Sequence, residues 1–593
     1  MRTVSFPIPM ILLLIATMSG VAPAADFELE HPMYNDPKIE FPPPIPYFSP
    51  ALKPLWLKAL NHTESDLQQQ IAATIAKAYL LGMHELADSP DVIEALERRL
   101  GAENDLVIRR AAARTLVVLD CKSSAPLLYD RLDSDGLDMA QLVEPALANW
   151  DYEPARTMWL KRLKNERASR KQLVLAIRGL GKVKERKAAV RLRELATDNS
   201  MPTTVRLAAA RALAEIQSTG LVEPSRTLGA DTSPSKIADR LVAASLLGSH
   251  QSEESNDLLV QLALDPEPAV AAIAIGRLLA IDPLLVAPHS RTLAKSPDGK
   301  VRLLIARAFL AQATTGAVEQ LGSLLDDQHP HVRNFARRAL VELAENSQLR
   351  STVIAQGVEA LEADTWRGKE QAIILLVLLD HKPAAKQLIP LFDFERQEVF
   401  EAAAWGLRRL AVPDTLAAMY DKAERETRNS EEGVSNTRTS DHQVAQLMQA
   451  FGEMNYRPAV PLLRKYVPKS FVPMTMSPFG EQSRAAAIWS LGHLYAGKND
   501  AKLNEEIAAR LTDMSIVLPE YEEVRRMSAI SLGRMNAIEK LADLARFQEM
   551  SGVDSFVGYS CAWAMNAITG KRIPQLKPGR LRWSTWILQP VEE

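Results

Sequence analysis

The chain has 593 residues, of which 47% are apolar and only 6% aromatic, and its formal net charge at pH 7 is −3. This near-neutral balance excludes a generally basic, nucleic-acid-binding surface. The two cysteines, Cys121 and Cys561, are too few for a disulfide framework or a cysteine-based metal site. The composition favours close-packed helices over sheets.

Residues 1–24 have the pattern of a secretory signal peptide. Arg2 supplies a short positive region, Met10–Met18 is the apolar core, and Ala22-Pro23-Ala24 fits an A-x-A cleavage site. The apolar core is too short to span a membrane, and the alternative is a buried N-terminal helix. We therefore expect an exported protein that is periplasmic or extracellular.

Residues 25–55 form a proline-rich arm, in which Phe41–Pro54 reads FPPPIPYFSPALKP. Because proline has no amide donor, such a segment cannot form a regular helix and is extended. We expect this arm to lie along the first repeat as a cap. The alternative is that it is a ligand for a proline-binding groove.

A helical repeat fills residues 56–420. Its three clearest units are Asp265–Leu279, Ser296–Leu310 and Asp327–Leu343. A valine recurs in them at a spacing of 31 residues (270, 301 and 332), and apolar residues follow it by three, four and eight positions. That spacing is one face of an α-helix. The equivalent position, called here the Val-type position, recurs at Ile108, Met139, Gln172, Val205, Ile237 and Val399.

Each unit is therefore a turn followed by an apolar-periodic helix, and a second helix follows. Two helices of this size cannot bury both apolar faces alone, so neighbouring pairs must stack into a solenoid. The pattern of a turn with Asp, then Val-Arg, then an Ala-rich helix that ends in Leu resembles the HEAT repeat. It is closest to the bacterial HEAT-like repeats first named from phycobilin lyases.

The resemblance covers most of the chain and implies an all-α fold. That fold is an α–α superhelix, a HEAT-repeat solenoid, of roughly a dozen helical pairs. Because the family consists mainly of binding scaffolds, the resemblance also implies a non-catalytic scaffold for a protein partner. The alternative, by analogy with the lyases, is an accessory or chaperone-like factor in attaching a cofactor or chromophore to a partner protein.

An arginine follows the Val-type residue in several units, namely Arg109, Arg206, Arg302, Arg333 and Arg525. One interpretation of this recurrence is an anion-binding stripe. The interpretation that we favour is structural, since in this repeat class such an arginine pairs with turn acids, here Asp105, Asp265 or Asp298.

Residues 421–442 interrupt the helical repeat. They are charged and have no apolar periodicity, which predicts a flexible loop. The repeats resume in residues 443–572 with the Val-type position near Gln443, Ser483 and Val524. The longer intervals between these positions predict long insertions.

The insertion Tyr466–Gln482 is our candidate for binding a partner, because long loops on one face of a solenoid are frequent binding elements. The alternative is that it folds back over the edge of the solenoid as packing. The candidate contact residues are its aromatic and methionine side chains, Tyr466, Phe471, Met474, Met476 and Phe479.

No residue pattern predicts catalysis, a cofactor or a metal site. His329-Pro330-His331 has no third ligand nearby in sequence, and Gly179-Leu180-Gly181-Lys182 lacks the first P-loop glycine, which predicts a helix–helix turn there. The last helical unit ends at Gly570, and residues 573–593 are predicted to form a C-terminal capping tail.

Overall fold

The computed structural model describes residues 29–40, 52–101, 105–434, 437–468, 477–515, 518–550 and 555–571. Within these ranges the regular structure is helical, without a β-strand, which confirms the all-α prediction. The contacts divide the chain into two compact units. The N-terminal unit comprises the described residues of Ile45–Ala308, and the C-terminal unit comprises those of Met1–Pro44 and Phe309–Gly579.

The N-terminal unit is a succession of antiparallel helices. In chain order they are α1 (Leu52–Leu60), α2 (Ser65–Leu80), α3 (His84–Ala87), α4 (Pro90–Arg98), α5 (Leu106–Val118), α6 (Ala125–Asp130), α7 (Gly136–Asn149), α8 (Glu153–Leu163), α9 (Arg170–Lys182), α10 (Ala189–Thr197), α11 (Thr203–Ile216), α12 (Val222–Gly229), α13 (Ile237–Leu246), α14 (Glu253–Ala263), α15 (Pro268–Ile281) and α16 (Ser290–Leu293). Helix α17 (Gly299–Gln312) contains the boundary between the units.

The C-terminal unit continues the same succession. Its helices are α18 (Thr315–Ser323), α19 (Pro330–Leu343), α20 (Ser347–Glu362), α21 (Trp366–Leu378), α22 (Ala385–Leu388), α23 (Gln397–Leu410), α24 (Leu416–Glu431), α25 (Thr437–Glu453), α26 (Val460–Arg464), α27 (Glu481–Leu494), α28 (Ala501–Thr512), α29 (Glu522–Arg534), α30 (Leu541–Met550) and α31 (Phe556–Thr569). It also includes one turn of 3-10 helix, Pro32–Tyr34.

The repeat register read from the sequence is confirmed. Val270, Val301 and Val332 are each the third residue of their helix, and all three are buried. In both units, helices that carry the Val-type position pack against the corresponding helix of the next repeat, as α9 does on α11 and α27 on α29. Burial of each helix therefore depends on its neighbours, as in other solenoids.

Small residues allow these stacked helices to approach closely. Gly492 in α27 lies nine positions after the Val-type position, and a Cβ added there would lie 2.9 Å from the Ser531 Cα of α29. Ser531 in turn donates a hydrogen bond to the carbonyl of Ile488, with an O···O distance of 2.8 Å. The absence of a side chain at Gly492 thus permits a buried hydrogen bond between neighbouring repeats.

The recurring arginines have structural partners, as the favoured interpretation predicts, but Arg109 and Arg206 pair with acids other than the predicted Asp105, Asp265 and Asp298. Arg109 pairs with Asp135 at 2.8 Å, and Arg206 pairs with Asp239 at 2.6 Å. Both acids belong to the start of the following unit. Arg302, Arg333 and Arg525 donate instead to carbonyl oxygens that precede their own helices. The two ion pairs join consecutive repeats, whereas the contacts of Arg302, Arg333 and Arg525 hold the chain that precedes the arginine's own helix.

The prediction of a flexible loop over residues 421–442 is wrong, because α24 and α25 cover most of them. Ala423 and Thr427 lie one turn apart on α24 and are fully buried. Lys422 is also buried, and its ammonium group pairs with Asp393 at 2.6 Å. Apolar periodicity is weak in this stretch because the buried face of α24 includes polar side chains that are paired with other groups of the protein.

The prediction of a helix–helix turn at residues 179–182 is also wrong, since they lie within α9. A Cβ on Gly179 would lie 2.8 Å from the indole of Trp159 on α8, and one on Gly181 would meet Ala212 on α11. The two glycines therefore serve close helix packing. Gly570, by contrast, ends α31 in the left-handed region, with a φ of +69°, as predicted.

Three further predictions fall outside the described residues. These are the signal peptide over residues 1–24, the tail over 573–593, and the part of the arm over 41–51. In the described part of the chain, no helix combines the length and the apolar character that crossing a membrane requires.

Candidate peptide-binding groove

The described part of the proline-rich arm, residues 29–40, packs on the C-terminal unit. From here on, the arm means these residues alone. Met33 at their centre has no exposed surface and belongs to the same buried cluster as the helices α21 to α31. The prediction that the arm caps the first repeat is therefore wrong for these residues, and α1 begins at Leu52, before the predicted start at residue 56. Proline content predicts an extended conformation, but it does not determine where the segment binds.

The arm crosses four consecutive stacked helices in chain order, from α23 through α25 and α27 to α29. We call the face of these helices that contacts the arm the groove. Its first contacts are with Glu30. Arg408 and Gln446 donate to the Glu30 carbonyl at 3.0 and 3.2 Å, and the Trp405 indole donates to its carboxylate at 2.6 Å. Arg409 pairs with the same carboxylate at 3.1 Å.

His31 lies between two glutamines of α25. Its Nδ1 is 2.7 Å from Gln449 Nε2, and its Nε2 is 3.3 Å from Gln446 Nε2. Burial, together with the nearby charges of His442 and Arg408, lowers the pKa of His31 from 6.5 to about 3. His31 is therefore a neutral imidazole in the groove at physiological pH.

The middle of the arm is held through its backbone. The Met33 amide donates to Gln449 Oε1 at 3.2 Å, and Arg526 donates to the Tyr34 carbonyl at 2.7 Å. The Tyr34 hydroxyl donates to Gln482, and burial raises the pKa of that hydroxyl above its ordinary value. The groove thus binds main-chain groups on both sides of a buried methionine.

The last contacts are with Asp36. The Trp489 indole donates to the Asp36 carbonyl at 2.8 Å. The Asp36 carboxylate lies 2.9 Å from His493 Nε2 and 2.8 Å from Arg534 Nη2. The hydrogen bond from His493 and the charge of Arg534 lower the pKa of this carboxyl. Acidic side chains at both ends of the arm therefore bind basic or N–H-donating groups.

The sequence patterns did not predict this groove. Three of the residues that hold the arm stand at one position of the repeat, six residues after the Val-type position. They are Trp405, Gln449 and Trp489. Large polar or aromatic side chains at the same position of consecutive repeats form a stripe across stacked helices, and that recurrence was the available indication.

The predicted contact residues in the insertion Tyr466–Gln482 do not form a comparable binding surface among the described residues. Tyr466 and Phe479 are both buried, their rings stack with centroids 3.9 Å apart, and the Tyr466 hydroxyl lies 2.8 Å from Thr427 Oγ1. Neither ring is exposed to a partner, so the prediction is wrong for these two residues and the packing alternative applies to them. Phe471, Met474 and Met476 lie outside the described residues, and their role stays a prediction.

Both ends of this insertion are held by a buried ionic cluster. Arg510 donates to the carbonyls of Val467 and Pro468 at 2.6 and 2.8 Å. Glu520 accepts from both Arg510 and Arg484, and all three residues are buried. Burial lowers the pKa of Arg510, and the carboxylate of Glu520 opposes that shift.

Across the described ranges, no three His, Cys, Asp or Glu side chains converge as a metal site. The rings of His329 and His331 lie 5.4 Å apart. Both cysteines are buried, and burial raises the pKa of the Cys121 thiol to about 11 and that of Cys561 to about 12. Neither thiol is therefore activated as a nucleophile.

No protein-family model and no curated protein sequence matches the chain. Among solved structures, Kap95p from a structure of its binding to RanGDP is similar, with a TM-score of 0.51 at 14% identity, covering 88% of this chain and 72% of that one. Importin beta crystallised in ammonium sulfate gives a TM-score of 0.48 at 14% identity, with the same coverage of 88% and 72%. Yeast importin-beta (Kap95p) gives 0.46 at 15% identity, covering 88% and 73%.

At these identities the similarity concerns the fold alone. The Kap95p structure matches most of the chain, and the match agrees with the repeat register and the helix stacking described above. The chain therefore has the HEAT-repeat fold, an α–α superhelix.

Proposed function

We propose that this protein is a non-catalytic scaffold that binds an extended segment of a protein partner in the groove. The observation that carries the proposal is that the groove already holds such a segment, the arm. Indole, amide and guanidinium groups of the groove bind the main chain of Glu30, Met33, Tyr34 and Asp36.

Main-chain contacts of this kind fit any extended peptide, whereas the side chains of the arm add a preference. An acidic residue lies at each end, Glu30 and Asp36, and Met33 fills a fully buried position between them. A partner segment with the same order, acid, then Met-Tyr, then acid, reproduces the contacts of Glu30, Met33, Tyr34 and Asp36. The comparison supports a protein partner, because Kap95p, which shares the fold, binds RanGDP.

Since the arm occupies the groove, a partner segment binds only when the arm leaves it. The apparent affinity is then the intrinsic affinity multiplied by the fraction of molecules in which the groove is empty. Weakening the arm within the full-length protein therefore increases binding of a peptide added in trans, without any change in the groove itself.

The test uses a full-length variant with Glu30→Lys and Asp36→Lys, which removes the ion pairs with Arg409 and Arg534. A fluorescein-labelled peptide with the sequence of residues 29–40 is the probe, and fluorescence anisotropy is the readout. We expect this variant to bind the peptide at least about tenfold more tightly than the unmodified protein, because the competing arm is displaced more easily.

Two controls accompany this experiment. A peptide with lysine in place of both acids is expected to bind neither protein, and adding Trp489→Ala to the variant is expected to abolish binding of the native peptide. If the variant has an unchanged circular dichroism spectrum yet binds the native peptide no better than the unmodified protein does, the groove is not a site for partner segments.

Export is part of the proposal, on the support of the signal-peptide pattern in residues 1–24. Cleavage after Ala24 leaves the arm a few residues from the mature N-terminus, where it is tethered on one side only. Intact-mass spectrometry of the protein from the cell envelope is expected to give a chain that begins at Ala25. A mass that includes residues 1–24 would contradict cleavage. The accessory role in attaching a cofactor stays a prediction.

A further inference from the structure

A cavity of about 560 Å³ lies in the N-terminal unit, on the stacked helices α7, α9 and α11. Pro145, Leu175 and Leu207 give it an apolar lining, one residue from each helix. Three cations, Arg178, Lys182 and Arg211, line it as well. The cavity therefore crosses three consecutive repeats, as the groove crosses four in the C-terminal unit.

Residues of the cavity and of the groove stand at the same positions of the repeat. Arg178 and Arg211 stand six residues after the Val-type positions Gln172 and Val205. This is the position at which Trp405, Gln449 and Trp489 hold the arm. Lys182 stands ten residues after its Val-type position, as do His493 and Arg534, which bind the Asp36 carboxylate. Cations thus occupy the positions that bind a segment elsewhere in the same chain.

The charge of the cavity is not neutralised from within. Arg178, Lys182 and Arg211 are exposed, and none of them forms an ion pair in the part of the chain that the structure describes. Glu144 also lines the cavity, but it is buried and accepts hydrogen bonds from Trp159 at 3.0 Å and Arg162 at 2.7 Å. The remaining acid, Glu215, leaves an excess of positive charge.

We infer that this cavity is a second segment-binding site, and that its ligand is an extended acidic peptide with apolar residues between the acids. In an extended chain successive side chains point to opposite sides, so alternate residues face the same way. Carboxylates then pair with Arg178 and Arg211, for which guanidinium forks are well suited, while apolar side chains contact Leu175 and Leu207. The inference does not depend on the proposed function of the groove.

The probe is a fluorescein-labelled peptide that repeats Glu-Ser-Leu-Ser, in which glutamates and leucines face the same side of an extended chain, and it is added to the full-length protein. We expect binding that weakens as the salt concentration rises, and a loss of at least about tenfold in affinity for the variant with Arg178→Glu and Arg211→Glu. The matched control reverses two exposed charges outside the cavity, with Arg186→Glu and Lys187→Glu, and is expected to bind almost as the unmodified protein does.

Three results would overturn the inference. One is an equal loss of affinity in the two charge-reversed variants, which would indicate long-range attraction only. Another is unchanged binding in a milder variant, Arg178→Gln with Arg211→Gln, made in case charge reversal disturbs folding. The third is tighter binding of a single-stranded oligonucleotide of the same length, which would make the site one for nucleic acid.

The two sites are distinguished by their variants. Glu30→Lys with Asp36→Lys, which empties the groove, is expected to leave the affinity for the glutamate–leucine peptide unchanged within about twofold, because the groove and the cavity share no residue. A large gain of affinity in that variant would mean that the acidic peptide binds in the groove, and the cavity would not be its site.

Discussion

Replacing Glu520 by alanine is expected to lower the free energy of unfolding by about 3–5 kcal/mol, because it leaves two buried guanidinium groups without their carboxylate. The side chain of Glu520 is only 2% exposed, and those of Arg510 and Arg484 are 3% and 6% exposed. Water cannot replace the lost partner at this depth. The charge of Arg510 is already disfavoured by burial, which lowers its pKa.

The matched control is Glu505→Ala, which removes an ion pair with Lys540 in which the carboxylate is 73% exposed. Exposed pairs contribute about 0–1 kcal/mol, so a small effect is expected. Urea denaturation followed by circular dichroism gives the comparison, as a difference in midpoints. Equal shifts in the two variants would show that the buried cluster contributes no more than a surface pair.

The same substitution has a local consequence that hydrogen exchange detects. Arg510 and Arg484 hold the carbonyls of Val467, Pro468 and Phe479, which lie on both sides of the insertion. Without Glu520 these contacts weaken, and amides near residues 466–468 and 477–483 are expected to exchange faster than in the control variant. Unchanged exchange there, together with a lower midpoint, would place the effect elsewhere in the unit.

Acidification is expected to release the arm from the groove. His31 has a pKa of about 3 in the groove, against 6.5 for an ordinary histidine, so docking excludes a proton. The contribution of His31 to docking is fully present above pH 6.5 and decreases as the pH falls towards 3. Each pH unit in that window costs up to about tenfold in the docking equilibrium, so a change from pH 6.5 to 4.5 weakens docking by up to about 100-fold.

The contribution of Asp36 to docking of the arm changes only at a lower pH. Its pKa in the groove is lowered by the hydrogen bond from His493 and the charge of Arg534, so its contribution is present above the ordinary value of 3.8 and is lost only below it. The release between pH 6.5 and 4.5 is therefore assigned to His31, which the charges of His442 and Arg408 face.

The measurement is hydrogen–deuterium exchange of residues 29–40, corrected for the intrinsic effect of pH on exchange. Protection is expected to decrease between pH 6.5 and 4.5 in the unmodified protein. The control is His31→Asn, whose amide forms hydrogen bonds but does not titrate, and its protection is expected to stay constant in this window. The same decrease in both proteins would assign the release to a group other than His31.

The sequence was informative where burial follows a regular period. The Val-type positions at residues 270, 301 and 332 predict the register of the helices, because each repeat buries the same face on its neighbour. The prediction failed in α24, where Lys422 and Thr427 are buried and break the apolar pattern. Polar groups can occupy a buried face when their partners are inside the protein, and those partners are distant in sequence.

The candidate site was harder to predict for a related reason. Tyr466 and Phe479 belong to an aromatic, proline-containing insertion, and the sequence does not tell whether such rings face solvent or stack on each other, as they do. The groove depends on contacts between the arm and helices hundreds of residues later, and a single sequence contains no direct indication of such pairs. The stripe of Trp405, Gln449 and Trp489 was the only local sign.

The position of the arm has a consequence for the order in which the protein acquires its structure. Stacked repeats form from neighbouring contacts, so each can fold soon after synthesis. The arm, however, is made first, and its carbonyl at Tyr34 binds Arg526, which lies 492 residues later in the chain. Docking must therefore be among the final events, completed only after α29 exists. Until then the N-terminus stays open to proteases, chaperones or a partner that reaches it earlier.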